Sequence, residues 1–242
     1  PDVWGAGDLN QFFTNLTTLP EYKQYEPMIL SQPKEDEKES KPWVVTLEKF
    51  MSEEECDRLI ELGYKEGYER SADVGEMRPD GTYGDNVNDG RTSENAWCQN
   101  DCLLDERSIT VVDRIANVTG VPEPNSEFLQ LLKYEVGQFY QTHHDYIDYQ
   151  RDRPPGPRIL TVFLYLNDVE EGGGTNFPDL DLTVEPKKGR ALIWPSVIDK
   201  DPNEKEEWTE HQALPVIKGQ KFGANAWLHL RDFKAPNLVN CH

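Results

Sequence analysis

The sequence predicts an α+β fold, with helices in the N-terminal half packed on a C-terminal jelly roll. Three observations predict it. From about residue 127, short apolar segments follow one another: "EFLQLLKYE", "RILTVFLYL", "LTVEP", "GRALIW", "HQALPVI" and "KFGANAWLHL". Turn signals separate them, among them "RDRPPGP", "EEGGGTNFPDLD" and "IKGQ", the texture of a many-stranded sandwich, barrel or jelly roll. Upstream, two stretches instead repeat apolar residues at helical spacing. A chain of 242 residues is long enough for a sizeable core, and six Trp, ten Tyr and nine Phe supply bulk for it.

In chain order, residues 1–31 are mixed and aromatic-bearing and carry no clear pattern. Residues 32–42, "QPKEDEKESKP", are charged and bounded by prolines, which reads as an exposed linker. Residues 1–42 are therefore expected to be an N-terminal extension, residues 43–242 the main domain, and residues 127–232 its approximate jelly-roll core. "WVVTLEKF" (43–50) reads as a strand. The next segment opens with a capping box, Ser52 with Glu55, and places Cys56, Leu59 and Ile60 on one helical face, with Leu62 at its edge. Residues 71–96 are rich in Gly, Asp and Asn, as in a long loop or hairpin. Within them "DNVNDG" (85–90) has some likeness to a calcium loop, but Val87 and Ala96 stand where oxygen ligands are needed. A second helix is expected over 105–117, with Ile109, Val112, Ile115 and Ala116 inward.

The formal net charge is −20, which repels phosphate backbones and anionic lipid and favours neutral or basic partners. No apolar run approaches the roughly 18 residues of a membrane span. Residue 1 is a proline, which reads as the start of a trimmed chain. Cys98 and Cys102 flank a short loop, "WCQNDC", that a disulfide would close; zinc would need further ligands nearby, and none stands there. Cys56 reads as a buried thiol, and Cys241 is available to Cys56 or to a cysteine beyond this sequence. Four cysteines allow three connectivities, and sequence does not choose among them. With the sequons at Asn15 and Asn117, the cysteines point to the secretory pathway, in the endoplasmic reticulum or Golgi lumen.

"QFYQTHHDYIDYQ" (138–150) carries two of the five histidines. Side chains alternate along a strand, so His143 and Asp145 share one face and His144 takes the other. One more imidazole would complete the two-His-one-carboxylate set that holds non-haem Fe(II) with three positions open. His211, at the start of an expected strand–turn–strand, is the best distant donor, and His229 is its rival. Lys221 falls ten residues after His211 across a Gly turn, which predicts a place on the paired strand, facing the same cavity. A lysine in an apolar strand needs an anion, and a metal-bound dicarboxylate would supply one. Taken singly, an HxD and a strand lysine are also ordinary polar surface.

Together these segments resemble the Fe(II)- and 2-oxoglutarate-dependent prolyl 4-hydroxylases of the plant and algal type. The resemblance rests on "YEVGQFYQTHHD" (134–145), "RILTVFLYLNDVEEGGGTNFP" (158–178), "PKKGRALIW" (186–194), "EHQALPVIKGQKFGANAWLH" (210–229) and, upstream, "GRTSENAW" (90–97). It runs from about Trp43 to His229 and implies a double-stranded β-helix within an oxygenase domain over 43–242. It implies that His143, Asp145 and His211 hold Fe(II), that Lys221 binds the distal carboxylate of 2-oxoglutarate, and that Tyr134 and Tyr165 line that pocket. Arg91, Ser93, Glu127, Tyr140, Arg158, Trp227 and His229 match peptide-holding positions, while Trp194 is expected to be core. The implied reaction is hydroxylation of peptidyl proline at C4, with 2-oxoglutarate and O2 converted to succinate and CO2 and with ascorbate as reductant. A Pro-rich, polyproline II-like peptide would be the partner. A sister oxygenase with another target residue and a non-catalytic jelly-roll binding module are the competing functions.

Overall fold

In the computed structural model, which describes residues 1–34, 40–77, 83–86 and 89–238, two main antiparallel sheets face each other, alongside three two-stranded ones. The larger has eight strands, in the order Pro27–Ser31, Val44–Leu47, Ala191–Pro195, Arg158–Tyr165, Lys221–His229, Gln130–Tyr134, Glu94–Trp97 and Glu69–Arg70. The smaller has four: Leu182–Val184, Thr175–Phe177, His211–Ala213 and Tyr140–His143. Chain order and spatial order differ in both sheets, as in the expected double-stranded β-helix, and helices cover the outer face of the larger sheet.

That layering explains why "RILTVFLY" is apolar almost throughout rather than alternating. Phe163 and Tyr165 point between the sheets, among Tyr134, Phe177 and Trp194. Leu160, Val162 and Leu164 point the other way, into the core beneath the helices. A strand buried on both faces has no polar side to show.

The helices differ from expectation in detail. Helix α1 (Asp8–Thr18) lies in the segment that carried no clear pattern, yet it buries Leu9, Phe13 and Leu16. Phe13 stacks on Trp43 at 5.4 Å between ring centroids, and Pro27–Ser31 pairs with Val44–Leu47. Packing therefore runs across the 42/43 boundary. Helix α2 (Glu53–Glu66) has the expected capping box, but its buried stripe passes through Leu62 while Ile60 is only partly covered. After α3 (Asn100–Leu103), helix α4 (Glu106–Thr119) turns Ser108, Val111, Ile115 and Val118 inward and leaves Ile109 exposed. The reason lies outside the helix: a Cys98–Cys102 disulfide packs there, with Cys98 Sγ 3.2 Å from Ser108 Oγ. Cys56 is a buried free thiol, pushed up to about 12 by burial. Cys241, part of the 32–42 stretch and part of "DNVNDG" lie outside the described residues.

Candidate active site

Strand pairing assembles the first two metal donors. His211 stands directly opposite His143 in the smaller sheet, with ring centroids 4.3 Å apart. The strand ends at His143, and the bend that follows brings Asp145 back to both rings. Its Oδ1 lies 4.0 Å from His143 Nε2 and its Oδ2 3.7 Å from His211 Nε2. One donor atom from each residue falls within 4.8 Å of the others.

Local hydrogen bonds set the tautomers. His143 Nδ1 donates to the Gln141 carbonyl at 2.8 Å and His211 Nδ1 to the Thr209 carbonyl at 3.0 Å. Each Nε2 therefore keeps its lone pair, and neither has a hydrogen-bond partner among the described residues. Burial, and then the neighbouring His211 ring, push the His143 imidazole down to about 3, so it is neutral. Burial alone would raise the Asp145 carboxyl, but His211 and His143 hold it down at about 2. Two imidazole nitrogens and one carboxylate oxygen on a common face fit Fe(II) with open positions.

His144 belongs to another network. Its Nδ1 accepts from the Tyr146 N–H at 2.8 Å, and its Nε2 donates to the Glu206 carbonyl at 2.7 Å. Both nitrogens are engaged away from the triad, the expected outcome, although the strand ends before His144.

Lys221 faces the triad, though not from the strand paired with His211. It lies on the larger sheet, opposite Tyr134 in register, and reaches the same cavity from the other wall. Gly219 makes the switch between sheets possible, since its φ of 88° is a conformation glycine adopts freely. The side chain is 1 % exposed, and its Nζ lies 5.1 Å from the Tyr134 ring and 5.2 Å from the Phe163 ring. No carboxylate among the described residues pairs with it, and burial pushes the ammonium down to about 7. Gly223 keeps this end of the cavity open, because a Cβ there would come within 2.6 Å of the Phe163 ring. Tyr165, in register with Gly223, packs behind Lys221 with its ring 5.7 Å from Nζ and donates from its hydroxyl to Thr175 Oγ1 at 2.7 Å.

The remaining expected residues form two groups. Arg91 lies over the Tyr140 ring at 4.5 Å and donates to Ser93 Oγ and Gln130 Oε1, and Tyr140 stacks on His143 at 3.6 Å. Farther along, Glu127 accepts from both guanidinium arms of Arg158 at 2.6 and 3.1 Å and from His229 Nε2 at 2.8 Å. Burial would raise Glu127, but Arg158 and His229 hold it down at about 2. Arg158 in turn lies 3.8 Å above the Trp227 ring. His229, the rival donor, is thus committed at Nε2 to Glu127 and at Nδ1 to the Gly156 carbonyl.

Several cavity or triad contacts were not expected from the sequence, Leu132, Phe163 and Ala213 among the apolar ones. Trp194 was expected to be plain core; it is buried, but it also lines the cavity and packs edge-on to His211 at 4.7 Å. Thr175 and Asn225 line the cavity, and Thr161 bonds to Asp145. Thr161 gave no signal, because a β-branched residue in a strand is ordinary.

A facial triad set across a jelly-roll cavity from an unpaired lysine is the arrangement of a 2-oxoglutarate- and Fe(II)-dependent dioxygenase. A profile of the 2OG-Fe(II) oxygenase superfamily matches residues 129–229. Prolyl 4-hydroxylase 2 of Arabidopsis thaliana is 34% identical over 232 residues, covering 85% of this chain and 73% of its own. Prolyl 4-hydroxylase 5 of the same plant is 34% identical over 216 residues, covering 80% and 70%. Among solved structures, the viral collagen prolyl hydroxylase of Paramecium bursaria Chlorella virus-1, in complex with 2-oxoglutarate, superposes with a TM-score of 0.59 at 28% identity, covering 77% of this chain and 95% of that one. The chain belongs to the prolyl 4-hydroxylase family.

Proposed function

We propose that this chain hydroxylates C4 of prolyl residues in Pro-rich peptides. The observation that carries this reading is the triad facing Lys221 across one cavity that Tyr140 also lines. In this reading His143, Asp145 and His211 hold Fe(II), and Lys221 donates to the distal carboxylate of 2-oxoglutarate, with Tyr134 beside it and Tyr165 behind. Iron, when bound, supplies the chemistry that couples 2-oxoglutarate and O2 consumption to prolyl oxidation, yielding succinate, CO2 and hydroxyproline.

The protein's own task is to orient the reactants and exclude water. Tyr140 and Trp227 supply aromatic surface beside the site, with Arg91 and His143 against the Tyr140 ring and Arg158 over the Trp227 ring. Arg91 and Ser93 border the first, and Glu127, Arg158 and His229 form a rigid charged frame around the second. The Trp227 indole N–H is buried and has no hydrogen-bond partner within the described residues. Residues 43–242 form the oxygenase unit in this reading, and residues 1–42 extend it.

A screen of polyproline, Ser-Pro-repeat and Gly-X-Y peptides with iron, 2-oxoglutarate and ascorbate tests the proposal. Peptide-dependent succinate and hydroxyproline, detected by mass spectrometry, are expected. A sister activity would appear as turnover with a different modified atom. Iron binding without turnover on any peptide would leave a binding module instead.

We also infer that the chain works in the lumen of the endoplasmic reticulum or Golgi. The Cys98–Cys102 disulfide fits an oxidising compartment, and no helix among the described residues is long and apolar enough to cross a membrane. Asn117 is exposed near the end of α4, while Asn15 is half-buried with its amide oxygen engaged by Gln11. Expression in a secretory host should therefore yield a glycan at Asn117, removable by a glycosidase and lost in Asn117→Gln.

A further inference from the structure

We propose that Thr161 selects which oxygen of Asp145 meets the metal. This rests on the reading of His143, Asp145 and His211 as the iron ligands. The triad alone leaves the choice open. Oδ1 lies near His143 Nε2 and Oδ2 near His211 Nε2, at 4.0 and 3.7 Å, so either oxygen, or both, faces the site.

The Thr161 hydroxyl breaks this tie. It donates to Oδ2 at 2.6 Å, the short separation of a hydroxyl on a charged carboxylate. Thr161 is fully buried and Asp145 nearly so, so water does not compete for the bond. The donor is also held from both sides: Thr161 pairs with Trp194 on one neighbouring strand and Trp227 on the other. Its β-branched side chain is stiff at χ1. Oδ1, by contrast, has no hydrogen-bond partner among the described residues.

The consequence is a count of coordination positions. A carboxylate bound through Oδ1 alone leaves three of six positions open. One that chelates through both oxygens leaves two, whereas 2-oxoglutarate needs two and dioxygen one. Thr161 is therefore a positioning residue that keeps Asp145 to a single bond.

Thr161→Val keeps the shape and removes the donor, and Thr161→Ser keeps the donor and removes the methyl. Co(II) in place of iron is the probe, because its visible absorption reports coordination number without turnover. Wild type and Thr161→Ser should give the same Co(II) spectrum with 2-oxoglutarate, and Thr161→Val a different one. Co(II) affinity should stay within about threefold in Thr161→Val, while peptide-dependent succinate formation falls about tenfold or more and recovers in Thr161→Ser.

Three results would overturn the proposal. The first is a Thr161→Val protein identical to wild type in spectrum and turnover. The second is equal impairment of Thr161→Ser, which would make packing the cause. The third is loss of Co(II) from a folded Thr161→Val protein, which would make the hydroxyl a support for the whole site. Thr161→Ala is the second donor-free variant should the valine variant not fold, and the same outcomes apply to it. A wild type that hydroxylates no proline peptide would sink the proposed function, yet the Co(II) spectra would still decide the role of Thr161.

Discussion

His143 and His144 are neighbours in the chain, but only one offers a metal a free lone pair. His143 spends Nδ1 on a carbonyl and keeps Nε2, whereas both nitrogens of His144 are hydrogen-bonded. His143→Ala should weaken Fe(II) or Co(II) binding by more than the roughly 10- to 100-fold typical of lost outer-shell partners, while His144→Ala changes it little. Metal titration followed by tryptophan fluorescence would check this, and equal losses would contradict it. Lys221 makes a second prediction. Burial lowers its ammonium from 10.5 to about 7, so the folded, ligand-free protein holds a neutral amine between those values while the unfolded chain holds the charge. The unfolded state then binds more protons, and stability rises with pH through that window. Lys221→Met should remove this part of the pH dependence and raise the melting temperature most below about pH 7. The same variant should raise the 2-oxoglutarate KM by roughly tenfold to a hundredfold, as expected for a lost charge-assisted hydrogen bond.

At the scale of elements, helix α4 shows what periodicity can and cannot read. Its existence was legible, because several apolar residues recur at helical spacing. Its inward face was legible only in part: Ile115 is buried and Val112 packs against the core as expected, but Ile109, which also satisfies that spacing, is exposed. The choice was made by Ser108, a polar residue invisible to an apolar pattern, which packs beneath the Cys98–Cys102 disulfide. The same substitution at two positions should separate the faces. Ile115→Ala should cost about 2–5 kcal/mol of stability, the range for a truncated core isoleucine, and Ile109→Ala about 0.5 kcal/mol or less. Denaturant melts would read both. Helix α1 was missed for a related reason: Leu9, Phe13 and Leu16 do recur at helical spacing, but only Trp43 and the sheet behind it make that face a core.

For the whole molecule, the formal charge of −20 sets a field that acts on any peptide approaching the cavity. Proline peptides flanked by lysine should show kcat/KM about tenfold above glutamate-flanked ones at low salt, with the gap closing near 1 M salt, where screening reaches about 3 Å. Equal rates at low salt would mean that the field does not reach the site. The chemistry of the site was largely written locally. The alternation expected along residues 143–145 groups His143 with Asp145 and sets His144 apart, an outcome the structure reaches through a bend after the strand ends at His143, and a lysine inside an apolar strand announces a need for an anion. Those inferences require only the two-residue period of a strand and the cost of burying a charge. The tertiary structure decided between distant partners. It set His211 opposite His143 and committed His229 to Glu127 and Gly156. It moved Lys221 to the facing sheet rather than the paired strand, and it gave Thr161 its carboxylate. Such choices depend on register between strands tens of residues apart, and no local period carries that information.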